Sequence, residues 1–145
     1  MNKGSYILFI EVSQDFRATY AKRDYCFRHG LYAYVGSAMK NLKQRVNRHL
    51  LYKDGYYKKH WHIDTLLEEG RVIASFVIPD SRRREEEISG LLSGMLPSIP
   101  GFGATDCKNV DSNLFFLNNS LDDYFSVVKK VLDDYSMVER KDSFV

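Results

Sequence analysis

The chain has 145 residues, 44% of them hydrophobic and 14% aromatic, and a formal net charge of +2. That length suits one domain, and that much apolar material argues against a disordered chain. Two cysteines, Cys26 and Cys107, are too few for a disulfide framework or a four-cysteine zinc site, which fits a reducing, cytoplasmic setting.

In chain order, residues 7–12 form an apolar, β-branched run that reads as a central strand. Residues 20–28 have strand composition with charges mixed in and read as one more exposed partner strand. His29-Gly30 makes the turn into a third strand at 31–35. A helix is expected from about 39 to 51, with Leu42, Val46 and Leu50 as its buried stripe. A short helix at 60–69 stops at Gly70, and a dense apolar strand at 72–78 ends at Pro79-Asp80. The next helix, 82–96, shows Ile88, Leu91, Leu92, Met95 and Leu96 on one face. A glycine-containing loop at 101–107 follows, then a short strand at 114–117. Ser120 is placed to cap a last helix at 121–137, whose first turn holds Asp122 and Asp123. The expectation is an α+β fold: a small, mainly antiparallel central sheet flanked by helices. Residues 1–137 form one domain and 138–145 a frayed tail. The apolar run at 6–10 is far shorter than the roughly 20 residues of a membrane span, so no signal peptide or span is expected.

The small net charge conceals an asymmetry. Residues 1–60 carry 12 Lys/Arg against 4 Asp/Glu, a net +8, and residues 61–145 carry 9 against 15, a net −6. A basic half of this kind draws in polyanions through long-range attraction.

Gly4-Ser5-Tyr6 and Tyr34-Val35-Gly36 stand at the edges of two expected strands and resemble the two halves of the GIY-YIG nuclease signature. The helix Leu42-Lys43-Gln44-Arg45-Val46-Asn47-Arg48-His49 resembles the next element of that superfamily, which supplies an arginine and a downstream histidine or tyrosine. Glu85-Glu86-Glu87 stands where a later helix is expected to offer a metal-binding glutamate. Tyr34-Val35-Gly36-Ser37-Ala38, Arg48-His49-Leu50, His60-Trp61-His62-Ile63-Asp64 and the loop at 101–107 are similar to the marks of a subgroup common in archaea. In order, these motifs cover most of the chain up to about Phe116.

The resemblance implies hydrolysis of a phosphodiester, in DNA rather than RNA, with a role in repair and a repair-protein partner within reach of the analogy. A tyrosine would deprotonate the attacking water, an arginine would stabilise charge on the phosphoryl oxygens, and one Mg²⁺ or Mn²⁺ ion on a glutamate would favour the leaving oxygen. Tyr6 and Tyr34 meet at one sheet edge if their strands pair, and which of them takes the proton stays open. Arg45 and His49, four apart, lie along one edge of the helix stripe, as phosphate clamp and proton relay. Arg48 points away from it, toward solvent or phosphate. Lys40 and Lys43 are further phosphate-binding candidates. Projecting the stripe of the later helix back one turn puts Glu85 beside it and Glu86 opposite, so Glu85 is the candidate metal ligand.

Each candidate also has a plain structural reading. Tyr6 and Tyr34 can be strand tyrosines on a half-buried face, Arg45 and His49 a helix surface, the glutamates a favourable helix start, and Lys40 and Lys43 solvated lysines. His60 and His62, two apart, point to different sides of a helix. Trp61 is therefore expected to fill the core while a histidine or Asp64 makes an orienting hydrogen bond. The chain departs from the subgroup in two places. A second cysteine and a histidine are missing after Cys107, so a zinc site there is not expected. Met39-Lys40-Asn41 replaces a glycine-rich connection. The rival to the nuclease reading is a non-catalytic nucleic-acid-binding module of the same fold.

Overall fold

The uninterrupted apolar stretch after Gly4 becomes the central strand. The computed structural model describes residues 1–55, 58, 61–103 and 110–136. In it β1 (Gly4–Val12) is followed by a hairpin of β2 (Phe16–Tyr20) and β3 (Arg23–Phe27), then by β4 (Gly30–Ala38). Two helices follow, α1 (Leu42–Leu50) and α2 (His62–Leu67), and then β5 (Arg71–Pro79) and α3 (Glu85–Ser93). The last elements are β6 (Leu114–Leu117), α4 (Ser120–Val131) and a π-helical turn, Leu132–Ser136. The main sheet has the order β5-β1-β4-β6, with every neighbouring pair antiparallel. The fold is α+β, as expected. No helix among the described residues is long and apolar enough to cross a membrane.

Strand alternation divides the core into two layers. Tyr6, Leu8, Ile10 and Val12 face one side with Tyr32 and Tyr34, against Leu42 and Val46 of α1 and Ile63, Leu66 and Leu67 of α2. Ile7 and Phe9 face the other, against Ile88 and Leu92 of α3 and Val127 and Val131 of α4. A strand covered on both faces needs no polar alternation, which is why β1 reads as a continuous apolar run. Each such side chain stabilises the fold by about 1.5–3 kcal/mol relative to exposure. Gly4 begins the strand at φ 148°, and a Cβ there would overlap the Ile78 carbonyl oxygen of β5. The glycine lets β1 and β5 close together at this end.

Four sequence expectations are corrected. Residues 20–28 are not one strand. The chain turns at Ala21 and Lys22, both with positive φ, and β2 and β3 form a separate two-stranded sheet. Two-residue hairpin turns of this hand are usually marked by Asn or Gly, and here the Thr19 hydroxyl donating to Asp24 (2.6 Å) helps close the hairpin instead. Second, Leu50 is 43% exposed, and the buried face of α1 is Leu42, Val46 and His49. Seven residues bring an α-helix back to nearly the same face whereas eight overshoot by most of a residue's rotation. Third, α3 is shorter than its apolar pattern: it runs from Glu85 to Ser93, and Met95 is 38% exposed. Fourth, Asn119 rather than Ser120 occupies the cap of α4, and its N–H donates to Asp123 (3.0 Å). Met137, the tail at 138–145, His60 and Cys107 lie outside the described residues.

Candidate active site

Antiparallel pairing sets Tyr6 of β1 opposite Gly36 of β4. A Cβ on Gly36 would overlap the end of the Tyr6 phenol, so glycine there allows the ring to lie across β4. Tyr34, two residues earlier in β4, points to the same face. Tyr6, Tyr34, Arg45 and Glu85 line one cleft of about 410 Å³, together with Trp61 and Asn113. These are residues that the sequence placed in four separate motifs.

Behind the cleft, His49 Nε2 is 3.0 Å from the Tyr6 hydroxyl. His49 is buried rather than at the stripe's edge, because it takes the place expected of Leu50. Burial pushes its pKa down to about 4, against an opposing pull from Asp64, so the ring is neutral at pH 7. Its Nδ1 has no hydrogen-bond partner among the described residues. A buried N–H without an acceptor is rarer than an acceptor without a donor. That favours the tautomer in which Nε2–H donates to Tyr6 and leaves the phenol proton free to point into the cleft. Burial also pushes Tyr6 up to about 12, although Arg45 beside it pulls the other way. Tyr34 is raised well above the ordinary value, again by burial first, with Tyr6 and Glu85 adding to it. In this state both phenols are hydrogen-bond donors.

Arg45 donates to the Ser37 carbonyl (3.1 Å), and its guanidinium lies 4.5 Å from the centre of the Trp61 ring. Glu85 opens α3 from the opposite face of the sheet. The helix start is pinned to β1 where the Arg84 N–H donates to the Ser5 hydroxyl (3.0 Å). Asn113 Nδ2 donates to Glu85 (3.1 Å), and the Asn113 carbonyl accepts from the Ser89 hydroxyl (2.8 Å). A carboxylate can only accept, which fixes which way the Asn113 amide faces. Asn113 was not anticipated: it lies in the stretch where the family pattern is broken, and only the folded chain carries it to Glu85.

Arg48 is the clearest departure. Expected to face solvent or phosphate, it instead forms a bidentate pair with the fully buried Asp64 (2.9 and 3.1 Å), and its side chain is 16% exposed. Asp64 also accepts from the Trp61 N–H (3.1 Å). The carboxylate thus satisfies a cation and a helix start at once, and Arg48 packs 4.5 Å from the Trp61 ring centre. This bears out the orienting role expected of Asp64, while Trp61 itself is half-buried and walls the cleft. Lys40 is exposed beside the cleft-lining Met39. Lys43 is exposed on the outer side of α1 and borders a different groove, with Leu50 and Val77. Phe102 is buried between Gly101 and Gly103, both with positive φ, a tight turn that glycine allows.

The donor set bears on the expected metal. No group of three or more His, Cys, Asp or Glu among the described residues is arranged to hold an ion, and among them Glu85 is the carboxylate that lines the cleft. One carboxylate suits a hard ion that keeps several waters and shares the substrate's phosphate, as Mg²⁺ and Mn²⁺ do.

The buried neutral His49 has a consequence for stability. Below the ordinary histidine pKa of 6.5 the unfolded chain takes up a proton that the folded chain refuses until about pH 4. Stability is therefore expected to fall as the pH drops through that window, by about 3 kcal/mol from His49, with His62, also lowered by burial, adding in the same direction. Urea titrations from pH 7 to 4 measure this. In His49→Gln the loss should shrink by up to one proton's worth of slope; an unchanged slope would mean that His49 is protonated in the fold.

The phenols, guanidinium, carboxylate and buried histidine are framed by residues scattered from position 6 to position 113, and the family comparison spans the same stretch. A family model described as "Domain of unknown function DUF123" matches residues 5–136. No curated protein and no solved structure matches the chain. The chain belongs to the DUF123 family.

Proposed function

We propose that the cleft hydrolyses phosphodiester bonds in DNA, as the resemblance to GIY-YIG nucleases implies, with one Mg²⁺ or Mn²⁺ ion held through Glu85. The observation that carries this reading is the convergence of Tyr6, Tyr34, Arg45 and Glu85 on one cleft, with His49 at 3.0 Å behind Tyr6. Arg45 clamps a phosphoryl oxygen and offsets its growing charge. Tyr34 donates a hydrogen bond to the phosphate. Tyr6, as the phenolate, takes the proton of the attacking water and becomes the neutral phenol, while the His49 Nε2–H donates to its oxygen and orients it. The ion, when bound, supplies positive charge that favours departure of the leaving oxygen. Lys40 extends the positive rim. Preference for DNA over RNA, a repair role, a repair-protein partner and a cytoplasmic setting come from the family analogy and the cysteine usage.

A second reading has its own support. With Tyr6 pushed up to about 12 and Tyr34 higher than usual, neither phenol is ionised at pH 7 in this state. The cleft would then grip a phosphate without cutting, as a nucleic-acid-binding module. Labelled duplex, single-stranded and branched DNAs incubated with Mg²⁺, Mn²⁺ or chelator separate the two. Metal-dependent cutting that Tyr6→Phe abolishes while binding persists supports the nuclease. Salt-sensitive binding with no cutting on any substrate, indifferent to chelator, supports the module.

A further inference from the structure

Besides the groups assigned to phosphate, the cleft is lined by Tyr20 and His62, for which the hydrolytic reading has no use. They come from elements far apart in sequence. Tyr20 ends β2 immediately before the turn at Ala21-Lys22, and His62 is the first residue of α2. Their rings lie 4.3 Å apart between centres, tilted by 52°, and His62 packs in turn on the buried Phe102 at 5.4 Å. Both residues are half-buried. Burial, with Arg23 nearby, lowers the His62 pKa, so it offers a neutral ring at pH 7. The adjoining hairpin residues Lys22 and Arg23 are exposed.

Aromatic rings beside a cationic rim are the combination that holds unpaired nucleotides: bases stack on the rings while the backbone tracks the charge. The shape agrees. A volume of about 410 Å³ falls in the range that engulfs a drug-sized molecule, and Tyr6 is 2% exposed. One extruded or unpaired nucleotide is of that size, and a base pair held within a stacked duplex is not.

We infer that the cleft takes one unpaired nucleotide, its base stacked on Tyr20 and His62 and its phosphate at Arg45, so that the substrate class is single-stranded or locally unpaired DNA rather than intact duplex. The inference rests on the reading of this cleft as a DNA site. The β2–β3 hairpin is then the substrate-selecting element, with Tyr20 as a binding residue.

The test is fluorescence anisotropy in Ca²⁺ with three probes: a labelled thymidine oligonucleotide, the same strand annealed to its complement, and the same backbone carrying abasic sites. The normal single strand should bind at least about tenfold tighter than the duplex. Tyr20→Ala should weaken it by roughly 5- to 100-fold, the effect of losing one stacked base, while leaving the abasic strand unchanged. Tyr20→Phe should bind like the wild type, because the ring face and not the hydroxyl is used. Trp61, the single tryptophan, reports on occupancy through its intrinsic fluorescence. If circular dichroism shows Tyr20→Ala unfolded, Tyr20→Leu takes its place, keeping an apolar contact but no ring. Duplex bound as tightly as single strand, or equal losses on normal and abasic strands in a folded variant, overturns the inference and leaves the nuclease reading standing. Absence of binding to all three probes overturns both.

Discussion

Glu85→Gln is expected to lower metal-dependent DNA cleavage by roughly 10³-fold, about 4 kcal/mol of transition-state stabilisation, with little change in melting temperature. The substitution keeps the side chain's shape and its ability to accept from Asn113, which donates to Glu85 at 3.1 Å. It removes the charge that would hold the ion. The stability cost includes a weaker interaction with the helix dipole, about 0.3–1 kcal/mol at the first turn of α3. Asn113→Ala should have a milder effect of a different kind. It removes a hydrogen bond that orients the carboxylate without discharging it, so apparent metal affinity falls by roughly 10- to 100-fold and high Mn²⁺ restores much of the rate. A Mn²⁺ titration of both variants therefore separates holding the ion from aiming its ligand. If Glu85→Gln cuts within a few-fold of the wild type, the ion is not held at Glu85, and the proposed metal site is lost with it.

What the sequence discloses about this site follows how local each interaction is. Tyr6 and Tyr34 were legible because strand alternation and an antiparallel return place them on one face without reference to the rest of the chain. Glu85 was legible because helix periodicity orders three neighbouring glutamates relative to an apolar stripe, and Glu85 does line the cleft. The same periodicity misled at α1. Counting in fours from Leu42 arrives at Leu50, whereas the true repeat of 3.6 arrives at His49, and that one-residue difference buries a histidine against Tyr6.

Interactions between distant segments were not legible. Arg48 points away from the apolar stripe of its own helix, which sequence logic equates with solvent. The direction is occupied by α2, whose Asp64 lies sixteen positions on. Asn113 reaches Glu85 across twenty-eight positions. The turn at Ala21-Lys22 shows a third limit: positive φ at two residues other than glycine or asparagine carries no compositional mark. It is also the turn that brings Tyr20 to the cleft, so one of the cleft's aromatic linings came from an element hidden from sequence.

The pair formed by Arg48 and Asp64 leads to the largest stability effect expected in the fold. Asp64→Ala removes a fully buried carboxylate that accepts two hydrogen bonds from Arg48 and one from the Trp61 N–H. A largely buried guanidinium loses the Asp64 carboxylate and α2 loses its cap, at a cost of about 3–5 kcal/mol. Against a total stability of roughly 5–15 kcal/mol for a domain, that should lower the melting temperature by roughly 10 °C or more. Arg48→Met should also destabilise, because the fully buried Asp64 carboxylate then lacks its cation even though the apolar stem continues to pack beside Trp61. The double variant should be more stable than Asp64→Ala alone, since the guanidinium that loses its carboxylate is removed as well. The cleft should feel the change too: Trp61, held between this pair and Arg45, lines it, so Trp61 emission should shift even where the variant stays folded. A loss below about 1 kcal/mol for Asp64→Ala, the range of exposed ion pairs, would mean that water reaches Arg48 and that Asp64 does not organise this wall of the site.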